Sequence, residues 1–195
     1  MRTITRTYDL FPVGELSESA RDVAHSEWLD KFHYYSGSDN EKTLEEFCRI
    51  FSVKCRSWEY DSCTYHYRFT TEHDEDIENL SGQRLATYLW NNYRRSIYKG
   101  KYYSKYPKYR YSRIFLDNCC PLTGYYIDHD ILAPIFEHMD RPNPNTTFLS
   151  LIDHCLDSFF KACRDDYENS ISKEGFVESA ECNDLEFLAT GKMFS

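Results

Sequence analysis

Several features are missing from this chain of 195 residues, and each absence narrows what it does. No stretch approaches the roughly 18 consecutive apolar residues that a membrane-crossing helix needs. Residues Met1 to Gly14 alternate polar and apolar side chains and hold no apolar block of the kind a secretion signal carries, so a cytoplasmic location is expected. There is no Cys-x-x-Cys pair, no glycine-rich phosphate loop, no His-Glu-x-x-His and no serine-nucleophile motif, which removes the commonest signatures of zinc, nucleotide and hydrolase chemistry. Between Arg94 and Arg113 there is not one aspartate or glutamate.

What is present begins with cysteine. Eight cysteines invite a disulfide framework, but in a cytoplasmic chain thiols stay reduced and pack as small hydrophobes. A chain of this length buries roughly 70% of its unfolded surface and folds without a metal or a disulfide. One domain over residues 1–195 is expected, carrying a basic, tyrosine-rich segment at 94–113. Aromatics make up 17% of the residues, and 17 of them are tyrosines, a side chain favoured on surfaces that are both wet and adhesive. The formal charge of −9 argues against general attachment to DNA or membrane by the whole surface.

The periodicities predict an α+β fold, a small antiparallel sheet packed with about five or six helices. Arg2 to Tyr8 alternate with β-branched residues and predict a strand. Ser17 is placed to cap a helix running to Phe32, with Leu16, Ala20, Val23, Ala24, Trp28 and Phe32 on one stripe. A polar turn at Ser36 to Asn40 precedes a helix from Glu41 to Phe51. Val53 to Tyr60 and Cys63 to Phe69 predict a hairpin, the second strand alternating His66 and Arg68 against Tyr65, Tyr67 and Phe69. An acidic loop, Glu72 to Asp76, leads into a helix from Ser81. Further helices are expected from Asp130 (as N-cap) to Met139, from a cap at Thr146 or Thr147 through Cys163, and from Ser172 to Cys182, with a closing hairpin around Thr190-Gly191. Strands and helices do not alternate as βαβ units, so no parallel sheet is expected.

The tract from Arg94 to Arg113 is the feature most suggestive of function. Arg94, Arg95, Lys99, Lys101, Lys105, Lys108, Arg110 and Arg113 are interleaved with Tyr98, Tyr102, Tyr103, Tyr106, Tyr109 and Tyr111. Outside it stand 15 basic against 32 acidic residues, a balance of −17, so charge is segregated along the chain. Cations beside stacking rings suit a nucleic-acid backbone with unpaired bases. They equally suit an acidic protein surface, where Tyr and Arg form the anchors, and a third alternative is that the tract docks on the chain's own carboxylates.

Evidence for chemistry is thinner. Cys119, Cys120, His129 and Cys155 can be drawn together as zinc ligands, but the spacing of Cys155 and Cys163 is ordinary helix-core periodicity. Cys63 and His66 fall on opposite strand faces, which disfavours a nucleophile–base pair. Asp128 with Asp130, and Asp165 with Asp166, are carboxylate pairs of the kind that hold Mg²⁺, without a lysine-bearing nuclease signature beside them. No cofactor and no catalytic residue are expected.

Thr3-Ile4-Thr5-Arg6-Thr7-Tyr8, followed by Glu15-Leu16-Ser17-Glu18-Ser19-Ala20, resembles the opening of a family of uncharacterised phage and prophage proteins, in which a short strand leads into a helix. Cys120-Pro121-Leu122-Thr123-Gly124-Tyr125 through Asp128-His129-Asp130-Ile131-Leu132 to Pro134-Ile135 is similar to a second segment of that family, and Ala162 to Glu168 through Asn183, Glu186-Phe187, Gly191 and Phe194 to its ending. The chain departs at Phe11-Pro12-Val13-Gly14 and at Tyr126, where the family commonly has cysteine. The family carries no agreed activity. What the resemblance implies is context: a small phage accessory protein that binds and blocks a bacterial host protein, a CRISPR effector nuclease complex being the expected kind of target, with the basic tract gripping either nucleic acid or an acidic host surface. The alternatives are a nucleic-acid-binding regulator or antitoxin-like protein that uses the basic tract, and a metal-dependent enzyme.

Overall fold

The computed structural model describes residues 1–4, 6–98 and 120–194. Within these the chain forms seven α-helices and two separate two-stranded antiparallel sheets, an α+β fold. It divides into two compact units, residues 1–34 with 166–195, and residues 35–165.

The first unit is built on α1 (Glu18–Leu29) and α7 (Lys173–Cys182). Both start as their sequences dictate: the Ser17 hydroxyl accepts from the Ala20 N–H and the Ser172 hydroxyl from the Gly175 N–H, satisfying amides that the first turn leaves without partners. The expected strand at 2–8 is not formed by the described residues there. The first strand, β1, is Phe11–Pro12, and it pairs with β4, Glu186–Phe187, so that Phe11 opposes Phe187. Alternation alone does not make a strand; it needs a partner edge, and here that edge comes from the far end of the chain. Ala20 and Ala24 are buried on α1 with Val13, Leu16, Phe176, Ala180 and Phe187, whereas Val23, placed on the apolar stripe by its spacing, is exposed.

The closing hairpin forms around Gly191, with Leu188 donating to the Lys192 carbonyl and Gly191 to that of Leu188. Gly191 has φ +86°, and a β-carbon there would lie 1.9 Å from the Ala20 carbonyl oxygen. Both the backbone conformation and the close approach to α1 exclude a side chain. Gly191→Ala is expected to cost about 2 kcal/mol or more, from left-handed strain plus displacement of α1; urea unfolding of the variant measures it.

In the second unit α2 (Gly37–Phe51) begins four residues before the predicted start, because Ser36 to Asn40 coil into its first turn. Asn40 is buried and donates to the Tyr60 hydroxyl, so a residue that reads as a polar turn is held by packing. Ser52 takes the left-handed conformation (φ 51°), ends α2 and turns the chain into the hairpin of β2 (Val53–Tyr60) and β3 (Tyr65–Thr71). Asp61 makes the turn by accepting from the Cys63 and Thr64 amides, which hold its carboxyl below the usual aspartate range. A bulge between Cys55 and Ser57 shifts the register so that Cys55, Trp58 and Tyr60 join Tyr65, Tyr67 and Phe69 on one face. That face meets Phe160 of α6 (Phe148–Ile171): the Tyr67 and Phe160 rings stack at 5.1 Å, and the Tyr65 and Tyr67 hydroxyls donate to Asp157 and Asp153. The acidic loop contains a one-turn helix, α3 (Glu75–Glu78), and α4 (Gly82–Ile97) and α5 (Ile127–Asp140) complete the unit. Phe47, Phe51, Leu85, Leu89, Ile131, Ile135, Ile152 and Phe159 are fully or almost fully buried between these helices.

Candidate functional site

The sequence-predicted partner-binding residues fall in two groups. Lys99, Lys101, Tyr102, Tyr103, Lys105, Tyr106, Lys108, Tyr109 and Arg110 lie outside the described residues. Arg94, Arg95 and Tyr98 form the C-terminal end of α4, which is the place to build from.

Helix α4 is amphipathic in the simplest way. Leu85, Ala86, Leu89, Tyr93 and Ile97 fall on one side and are buried. Its start is held by α5, where the buried His138 ring shares a 3.3 Å hydrogen bond with the Gly82 carbonyl. At its end Arg94 and Arg95 stand in the last turn, where cations are favoured by the helix dipole. Tyr98 closes the helix through its N–H to the Arg94 carbonyl. The Tyr98 ring packs 5.3 Å from Phe136 and 5.9 Å from Trp90, and burial raises its hydroxyl pKa. Tyr98 is therefore partly a packing residue, a role that the sequence tract alone does not distinguish from an open stacking ring.

The other side of α4 is unusual in this acidic molecule. Gln83, Arg84, Thr87, Trp90, Asn91, Asn92 and Arg95 are exposed, and among the described α-helices α4 alone carries no carboxylate. The absence of acid extends from Asn79 to Leu116, well before the Arg94 at which the tyrosine-rich tract begins. None of the ion pairs among the described residues involves Arg84, Arg94 or Arg95, while seven cations elsewhere do pair with carboxylates. Arg94 instead lies 5.5 Å from the centre of the Trp90 ring, whose indole is 43% exposed. A shallow groove of about 420 Å³ is lined by Gln83, Arg84, Thr87, Tyr88, Asn91 and Asn92 of the same helix. Arg84, Trp90 and Asn91 were not singled out by the tyrosine-rich pattern; the signal that marks them is the length of the acid-free stretch.

The residues drawn together as metal ligands are arranged differently. Cys155 is fully buried in α6, and burial raises its thiol far above the ordinary value. His129 is exposed on α5 beside Tyr126. Cys120 precedes α5, and Cys119 lies outside the described residues. Among the described residues no group of three or more His, Cys, Asp and Glu side chains is placed to hold a metal ion. No disulfide joins the seven described cysteines. Cys63 is exposed in the hairpin turn and His66 on the outer face of β3.

Asp128 and Asp130 are not a cation-binding pair. Asp130 is not an N-cap, because α5 begins at Ile127 and Asp130 stands inside its first turn. Asp128 is completely buried and both its oxygens are engaged. Oδ2 accepts from the Thr123 and Gly124 amides, each at 2.8 Å, and Oδ1 from the Thr123 and Thr43 hydroxyls at 2.7 and 3.0 Å. This carboxylate locks the Pro121-to-Tyr126 turn to the start of α5 and to α2. The locked turn presents Tyr126, 76% exposed, and Tyr125, whose ring lies 5.6 Å from the Lys42 ammonium.

No helix among the described residues is long and apolar enough to cross a membrane. No family model matches the chain, no curated protein matches its sequence and no solved structure matches its fold.

Proposed function

We propose that this is a phage or mobile-element protein that works in the cytoplasm of a bacterial host by stoichiometric binding. It attaches to a host defence machine, of the CRISPR effector kind, and blocks it. The observation that carries this reading is the acid-free side of α4, where three arginines form no ion pair with the abundant carboxylates among the described residues and one is stacked on a half-exposed tryptophan. Free cations on a molecule of net charge −9 are not consumed in folding, and they leave a surface complementary to an anionic partner. The resemblance of both ends and the middle of the chain to phage accessory proteins supplies the biological setting. CRISPR effectors hold nucleic acid in cationic channels, so an acidic body with one cationic side has complementary surface for both the channel wall and the strand within it.

The test is a phage plating assay in bacteria that carry an active CRISPR system. Expression of the chain is expected to restore plating of a targeted phage, and the purified chain to co-elute with the effector in a fixed ratio. The Arg94→Ala/Arg95→Ala variant is expected to fold normally and to lose both effects. Unrestored plating across CRISPR types, with no co-elution, would overturn the proposal.

A further inference from the structure

We infer that the solvent side of α4 is a contact surface for single-stranded nucleic acid. This rests on the binding reading above and adds to it the chemistry of what is bound. Charge complementarity selects a polyanion: the side holds Arg84, Arg94 and Arg95 and no carboxylate, in a chain whose other described helices all carry acid. Arg84 and Arg95 are eleven residues apart, roughly 16 Å along the helix axis, a separation that spans several nucleotides of an extended strand. Arginine suits phosphate because its planar fork donates two parallel hydrogen bonds.

What separates a nucleic acid from an acidic protein is the rest of the side. Trp90 is half-exposed and braced by Arg94 at 5.5 Å and by Tyr98 at 5.9 Å, so the indole is held in place as a platform. Unpaired bases stack on such rings whatever their sequence. Gln83, next to Arg84, and Asn91, between Arg84 and Arg94, are exposed amides that offer paired donors and acceptors to base edges. A duplex keeps its bases stacked inside and has nothing to lay on Trp90, so a single strand fits better.

The experiment uses the full chain and fluorescently labelled oligouridine, oligothymidine and a duplex of equal length, followed by anisotropy across a salt series. The single strands are expected to bind more tightly than the duplex, with affinity falling linearly on logarithmic axes as salt rises. Trp90→Ala is expected to weaken binding roughly five- to a hundredfold. Replacing Arg84, Arg94 and Arg95 together by Gln is expected to reduce the salt slope by about 2, three phosphate contacts at roughly 0.7 each. These side chains lie outside the core, and an unchanged circular dichroism melt verifies folding. Failure to bind any oligonucleotide at low salt, equal affinity for duplex, or unaltered binding by both variants would each overturn the inference. Binding to polyglutamate but not to oligonucleotides would overturn it in favour of an acidic protein partner. The two readings fail separately: block of a defence system without oligonucleotide binding sinks this inference alone, and oligonucleotide binding without block sinks the inhibitor proposal alone.

Discussion

Replacing Phe160 by alanine is expected to lower the free energy of unfolding by about 3–5 kcal/mol. Phe160 is completely buried, and its ring contacts Tyr67 at 5.1 Å, Phe159 at 5.0 Å, Trp58 at 6.0 Å, and Tyr60 and Tyr65 at 6.5 Å. A two-stranded hairpin is marginal in water without a surface to pack on. Here that surface is α6, and Phe160 is the ring on which the aromatic face of β2 and β3 converges. Its loss removes the transfer energy of the ring, leaves a cavity that the surrounding large rings fill poorly, and loosens the tyrosine hydroxyls from Asp153 and Asp157. For a chain of this size the midpoint of thermal unfolding is expected to fall by roughly 6–20 °C. Phe160→Leu, which keeps most of the volume, is expected to cost roughly 1–1.5 kcal/mol. Amide hydrogen exchange adds a spatial test: protection is expected to drop most in residues 53–71. An alanine variant within 1 kcal/mol of the parent would mean that the hairpin is held by something other than this helix.

The second large effect concerns Asp128. Asp128→Ala is expected to destabilise the protein by about 3 kcal/mol, because it leaves two backbone amides and two hydroxyls facing a void without an acceptor. The geometry makes a sharper prediction about Asp128→Asn. The two amides at Oδ2 can only donate, but the Thr43 and Thr123 hydroxyls at Oδ1 can rotate and accept instead. An asparagine that turns its oxygen to the amides and its NH₂ to the hydroxyls keeps most of the network. The asparagine variant is therefore expected to lose about 1 kcal/mol, well short of the alanine variant. Urea unfolding of the two variants side by side measures the difference. Equal losses would show that the negative charge, rather than the acceptor count, is what the Pro121-to-Tyr126 turn requires.

The same residue shows where sequence reading stops. Asp128 and Asp130 look alike in sequence, a carboxylate pair at the start of a helix, and the helix-cap pattern selects Asp130. In the structure Asp128 does the anchoring, because Thr43 of α2, 85 residues earlier, is packed against it. A hydrogen-bond partner that distant leaves no trace in the local pattern. The bulge at Cys55 and Ser57 behaves similarly. Strict alternation places Trp58 and Tyr60 opposite Cys55, and one additional residue in the register brings all three to the face that α6 covers. That the described residues of 2–8 form no strand and that Phe11–Pro12 form a short one have the same origin, since pairing depends on an edge that Glu186–Phe187 provide.

The candidate site was half legible. Arg94, Arg95 and Tyr98 stand out from composition, yet their neighbours do not: Trp90 meets Arg94, four residues on, only when the helix brings positions a turn apart together, and Arg84 falls in line with Arg95 along the exposed side for the same reason. Composition also cannot tell a stacking platform from a packing ring, and Tyr98, lying against Phe136, is partly the latter.

What local chemistry dictated is clear from the elements read correctly. The caps at Ser17 and Ser172, the alternation of β3 and the glycine turn at Gly191 all depend on residues within a few positions of one another. The division into two units, the partner of each strand, the burial of Asp128 and the lack of an ion pair between the α4 cations and any described carboxylate were settled by which distant segments meet, since each of these states depends on a second group that chain order does not place nearby.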